Sequence, residues 1–307
     1  MDTSSAIRRA APGTPHRPAP EMSPSAAGTA PGAGSAGTGA GLVLLGAAIL
    51  AGATVLAQIS YPLLSGGPLR ISTITTVLLF AAASLAHAAA THGRGPALRL
   101  LAVAGGVGLL AEAMGVATGI PFGDYAYTGT LGPAVLGVPI LVPLAWTMMA
   151  YPCLLLGRRL VRTVPAGARR RAVAVGLGAW TLAAWDLYLD PQMVAAGHWS
   201  WRDPSPALPG VPGIPLSNYA GWVMVAVAIT ATLDRALPEP DHVRAEAVPA
   251  SLLAWTWLGS ALGNLVFFNR PAVAGYGVLA MGVATLPYLR QVTGGRVIGG
   301  RSRGGRR

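Results

Sequence analysis

The chain predicts an all-α fold: a polytopic transmembrane helical bundle of about eight spans, with seven still compatible, and both termini cytoplasmic. Three observations predict it. Of 307 residues, 52% are hydrophobic and only 11% are charged, whereas a soluble domain carries about 25% charge. The apolar residues gather into runs close to the ~20 residues that cross a ~30 Å hydrocarbon core. The 22 basic residues, all arginine, fall almost entirely in alternate connecting segments, as topology-setting charges do.

Residues 1–40 consist largely of Ala, Pro, Gly, Ser and Thr. Such a stretch cannot bury enough apolar surface to offset its ordering entropy, so it is expected to be disordered. It does not read as a signal peptide, because the first apolar run starts near Gly41 and is too long for the apolar region of one. Arg8-Arg9 has no apolar core behind it, so it does not read as a twin-arginine signal either.

Eight runs follow, at 41–64, 71–91, 99–119, 134–157, 172–193, 216–234, 250–268 and 272–289, and together they make one transmembrane helical domain over 41–290. The last two are joined tightly at Asn269-Arg270-Pro271. One crossing plus a re-entrant piece would fit them as well, which is what leaves seven spans open. Residues 291–307 form a Gly/Arg-rich cytoplasmic tail suited to anchoring on anionic lipid. With eight spans and an inside N-terminus, only Arg70, Arg202 and Arg270 lie outside. The net charge of +11 does not indicate nucleic acid, since the arginines are divided among short loops rather than gathered on a soluble basic domain. Cys153, the single cysteine, excludes an intrachain disulfide and reads as a small core residue.

Glu112, Asp186 and Asp190 lie inside these apolar runs, in a chain with eleven acidic residues. A carboxylate in hydrocarbon costs roughly 2.5–3.5 kcal/mol on insertion scales, so its default meaning is functional. In the eight-span topology all three belong to outer halves, which predicts one acidic pocket opening toward the outer leaflet. Asp186 and Asp190 are four apart and share a helix face, with Pro191 expected to end or kink that helix. Two aspartates so close can divide the roles of acid and base in proton transfer.

Glu112, Gly115 and Gly119 share a second face, whose small residues would admit another helix or a flat ligand. Tyr125 and Tyr127 then line either an aromatic belt or the entrance of a site. Ser217 is placed to cap the sixth span, and Asn218 to orient a carboxylate or a water. Trp222 fits belt and site equally, while Trp199 and Trp201 read as belt residues. Asn264 and Asn269 are weaker polar candidates. His87 reads as a hydrogen-bonded helix residue, and the histidines form no convincing metal set. No P-loop, dinucleotide fingerprint or HExxH is present, so no cofactor and no metal is expected.

The ordered pattern Glu112, Gly115, Thr118, Gly119, Pro121, Phe122, Gly123, Tyr125, Tyr127, Thr128 continues through Leu131-Gly132-Pro133, Gly137-Val138-Pro139 and Trp146, Met148-Met149-Ala150-Tyr151. With Asp186, Asp190-Pro191, Gly197, Trp199, Trp201, Gly213-Ile214-Pro215, Asn218 and Gly221-Trp222, it resembles the integral-membrane carotenoid biosynthesis proteins of the CruF type, over roughly 41–290. The resemblance implies a carotenoid 1,2-hydratase, a hydro-lyase that adds water to the terminal isopropylidene double bond of an acyclic end group.

The residues suit that chemistry. Protonation of the alkene leaves a tertiary carbocation, which aromatic faces can stabilise and water captures. On this reading Asp186 or Glu112 is the acid and Asp190 the base or water holder. Tyr125, Tyr127, Phe122, Asn218, Trp222 and Trp146 bind the substrate. The partners are an acyclic carotenoid arriving from the lipid phase, water and membrane lipids, with contact to other carotenoid-pathway enzymes allowed and no nucleic acid. A magnesium-dependent membrane prenyltransferase competes, because the Asp186/Asp190 spacing fits half of such a site. A non-enzymatic pigment carrier or transporter is a third reading, although no internal repeat of the transporter kind is evident.

Overall fold

The computed structural model describes residues 33–239 and 246–301. Among them, eight helices are long and apolar enough to cross a membrane, which decides between eight spans and seven. The stretch 1–32 and the end of the Arg-rich tail lie outside the described residues. The first helix, α1 (Ala33–Ser60), begins before the expected boundary at 41, and the last, α9 (Pro271–Arg301), continues past 290.

Between them run α2 (Gly66–His92), α3 (Arg94–Leu100), α4 (Gly106–Thr118), α5 (Leu141–Leu160), α6 (Ala168–Ala195), α7 (Leu216–Ala236) and α8 (Ala247–Leu262). α3 and α4 form one span across a π-helical turn at Leu101–Gly105. A second π-turn, Gly263–Phe267, extends α8. Such turns insert one extra residue per turn and re-aim the side chains beyond them.

α5 is the centre of the bundle. Most of its apolar window, 78%, is buried, against 17% for α1. Small residues bring its neighbour close, as lipid tails provide no hydrophobic drive between helices. A Cβ on Gly157 of α5 would collide with the Ala174 carbonyl of α6. One on Gly178 of α6 would lie 3.0 Å from the Cys153 carbonyl. Cys153 is buried there as a core residue.

Beyond the ends of these helices, short strands close one face of the bundle. β1 (Tyr125–Tyr127) pairs antiparallel with β4 (Trp199–Trp201), setting Tyr125 opposite Trp201 and Tyr127 opposite Trp199. β2 (Ala134–Val135) and β3 (Val138–Pro139) form a hairpin. The fourth span was expected from 134; it begins at Leu141. Leu136 and Gly137 both take positive φ, at 52° and 80°, the geometry of a tight hairpin turn, and this turn uses up the first residues of the apolar run. β5 (Ala207–Leu208) and β6 (Val211–Pro215) complete the face.

Two local expectations are corrected. Pro191 does not end α6, which continues to Ala195. Ser217 does not cap α7: Pro215 is at the cap position and no side-chain cap bond forms.

The opposite end is held by a buried ion pair. Arg158 donates to Asp234 at 2.9 Å and to the carbonyls of Asp234, Leu237 and Pro238. A guanidinium there satisfies the orphan carbonyls that end α7.

Candidate active site

Glu112 comes from the penultimate turn of α4, and only 5% of it is exposed. Its Oε2 accepts hydrogen bonds from the Tyr125 hydroxyl at 2.5 Å and the Tyr127 hydroxyl at 2.8 Å. Its Oε1 accepts from Trp146 Nε1 at 3.1 Å. A carboxylate is an acceptor-only group, and here three donors from β1 and α5 satisfy it. Burial, and next the charge of Glu112, push both tyrosine hydroxyls above the ordinary phenol range. They therefore remain O–H donors.

Asp186 and Asp190 are both buried on α6. Asn218, from the first turn of α7, bridges them. Its Nδ2 donates to Asp186 Oδ2 at 2.8 Å and also to Asp190 Oδ2. An amide nitrogen carries two protons, one for each acceptor. Asp190 Oδ1 accepts from Trp199 Nε1 at 3.1 Å. Asp186 Oδ1 is buried and has no partner. An orphan acceptor in an apolar interior is costly, which sets this oxygen apart from the other carboxyl oxygens of the site, all of which have a donor.

Glu112 and Asp190, from two different helices, line one cavity of about 50 Å³ together with Asn218, Phe122, Tyr125, Tyr127, Trp146, Trp199, Trp201 and Trp222. Asp186 lies behind Asn218 and is not part of the cavity wall. The rings form a layered wall. Trp146 and Trp222 stack at 4.0 Å between centroids, and Trp185 meets Trp222 edge-on. Tyr125 faces Trp201, and Tyr127 meets Trp199 edge-on, across the β1–β4 pair.

The small face around Glu112 is filled by the loop that follows α4. A Cβ on Gly115 would come within 2.8 Å of the Phe122 ring, and Gly221 of α7 meets the same ring at 2.8 Å. Phe122 is thus clamped between two glycines. Gly119 ends α4 in the left-handed conformation, where glycine is favoured.

Trp199 and Trp201 are the clearest correction: both are buried cavity walls, not belt residues. Their role was readable in part. Tyr-x-Tyr and Trp-x-Trp both carry the period of two of a strand, so each places two rings on one face. Thr73, Val77, Leu189 and Met193 also line the cavity, and nothing in their local pattern separates them from ordinary core. Asn264 bonds a carbonyl of its own helix at Ser260 and, like Asn269, does not line the cavity. His87 bonds the Tyr151 hydroxyl at 2.9 Å, far from this wall in the chain's packing.

The family described as carotenoid biosynthesis protein matches residues 73–284, which include every residue of this cavity. The chain belongs to that family. The chain is similar to the bisanhydrobacterioruberin hydratase of Haloarcula japonica, 33% identical over 179 residues. The aligned stretch covers 55% of this chain and 58% of that protein. No solved structure matches. Among the described residues, no three His, Cys, Asp or Glu side chains converge where they could hold a metal.

Proposed function

We propose that this family member is a carotenoid hydratase of the cell membrane, adding water across the terminal isopropylidene double bond of an acyclic carotenoid to give a tertiary alcohol. The observation that carries the reading is the placement of two carboxyl groups, Glu112 and Asp190, on one small aromatic-walled cavity. The similarity to a bisanhydrobacterioruberin hydratase supports the same chemistry.

The roles follow from the surroundings of each group. Asp190 reaches the cavity and is backed by Asp186 through Asn218. Two carboxylates sharing one amide in a low dielectric hold a proton between them at far lower cost than two bare charges. Because Asp190 and not Asp186 lines the cavity, the roles expected from the sequence are exchanged in this proposal: Asp190 delivers the proton to the less substituted alkene carbon, and Asp186 is the reserve behind it. The π-electrons form the new C–H bond and leave a tertiary cation beside the Trp146–Trp222 stack and the Tyr125 and Trp201 faces, which stabilise it. Water attacks the cation. Glu112, an acceptor with three donors that favour its carboxylate form, takes the proton that water releases. The sum is one water added per double bond, with no electrons gained or lost. Returning the proton from Glu112 to Asp190 completes the cycle.

The arginine distribution supports cytoplasmic termini, with this cavity toward the outer leaflet. A lipid-dissolved substrate then reaches it without crossing water.

The test is expression of the full chain in hosts making lycopene or bisanhydrobacterioruberin, followed by mass spectrometry of the pigments. Wild type should yield products heavier by water. Asp190→Asn and Glu112→Gln should each reduce conversion by about 10²-fold or more, and Asp186→Asn by less. Membranes treated with a metal chelator should keep full activity. Unchanged conversion in all three amide variants would end the mechanism, and loss on chelation would favour the prenyltransferase class.

A further inference from the structure

A 50 Å³ cavity accommodates the branched head of the substrate and a water, since one water occupies roughly 10–15 Å³ on this measure. A carotenoid is far longer, and its polyene must lie in something continuous with that head. A second cavity of about 150 Å³ adjoins the first and shares Thr73, Val77, Leu189 and Met193 with it. Trp185 stands between them, edge-on to Trp222 on the site side and lining the second cavity with its other face.

The geometry points to this second cavity as the binding channel for the conjugated chain of the substrate, an inference that rests on the hydratase reading. Its walls are flat and polarisable: Trp185, Tyr188, Trp255, Phe268 and Met148. Such faces bind extended π-systems. Glycines let the rings lie flat. At Gly259, a Cβ would come within 2.9 Å of the Trp255 ring. At Gly277 of α9, a Cβ would collide with the Tyr188 ring, so its absence lets that ring lie against α9, while the Tyr188 hydroxyl donates to the Trp257 carbonyl of α8 at 3.1 Å. Gln58 and Gln192, in the last turns of α1 and α6, put the polar part of the lining at the loop-rich end. The chain would thus run down between α2, α6 and α8 from the catalytic head.

Two hydroxyls complicate the wall: Thr76 Oγ1 and Tyr61 Oη are buried without partners there. A string of waters feeding the reaction would use them; a polyene would not. Thr76→Val, which keeps the shape and removes the hydroxyl, separates these occupants. Ser260→Phe fills the channel without touching the first cavity's lining.

The experiment uses the full chain in detergent with lycopene as the long probe and geranylacetone, which carries the same isopropylidene end on a short chain. Visible circular dichroism reports polyene binding, and mass spectrometry reports hydration. Wild type should induce a dichroic band in lycopene, and Ser260→Phe should weaken lycopene binding at least about tenfold while leaving geranylacetone hydration unchanged. Thr76→Val should keep both. Lycopene binding unaltered by Ser260→Phe, equal loss for both probes, or loss of turnover in Thr76→Val would each overturn the channel. Dichroism that behaves as expected with no hydration of either probe would overturn the hydratase reading alone.

Discussion

Each carboxylate of the cavity is defined by its donors. Glu112 has three, while Asp190 has Trp199 and a shared amide. A hydrogen bond to a charged group contributes about 1.5–3 kcal/mol. Trp199→Phe keeps the ring against Tyr127 but removes the donor to Asp190, and Tyr127→Phe does the same for one bond to Glu112. Conversion by each variant should fall on the order of tenfold, with wild-type amounts of protein in the membrane. Full activity in both would show that these donors do not tune the reacting groups. The three carboxylates stood out in the sequence because charge in an apolar run is rare. Their donors did not, because Trp and Tyr are equally at home in a membrane belt.

At the scale of elements, the site is built by a strand pair laid over helix ends and by a loop clamped between two of them. Phe122 is wedged between Gly115 of α4 and Gly221 of α7. Gly221→Ala would also press on the Pro121 carbonyl, 2.8 Å from the new methyl. Backbone cannot yield as a flexible side chain does, so overpacking of about 1–3 kcal/mol is expected. The melting temperature of the detergent-solubilised variant should drop and hydration with it. Gly106→Ala, a helical position with open space around it, should do neither. A Gly221→Ala protein as stable and active as wild type would remove the clamp from the account. The spans themselves were legible from run length. The hairpin at 134–139 was not, because its residues are as apolar as a helix and only the turn at Leu136-Gly137 sets them apart.

For the whole molecule, the ion pairs of Arg158, Arg159 and Arg170 and the buried carboxylates of the cavity lie at opposite ends. The Arg158–Asp234 pair and its carbonyl partners close one end, and the cavity occupies the other. If the arginine bias sets orientation, the cavity end faces outward. A Cys153→Ala chain carrying Asp203→Cys should react with a membrane-impermeant maleimide on intact cells. The same background with Arg169→Cys should react only after lysis. The reverse pattern would invert the protein and put the cavity toward the cytoplasm.

Class, an approximate span number and the identity of the acidic residues followed from the sequence alone. Hydrocarbon forces backbone bonds to close within each helix, so apolar run length translates directly into spans, and the cost of burying charge makes every intramembrane carboxylate conspicuous. What only the tertiary structure decided was which of them meet. Asp190 and Glu112 reach one cavity, whereas Asp186 is tied to it only through Asn218, 32 residues further along the chain. Likewise Trp199 and Trp201 left the belt for the cavity wall when β4 paired with β1, some 70 residues away. Contacts between such distant segments depend on how helices cross and where strands register, and no local pattern along the chain carries that information.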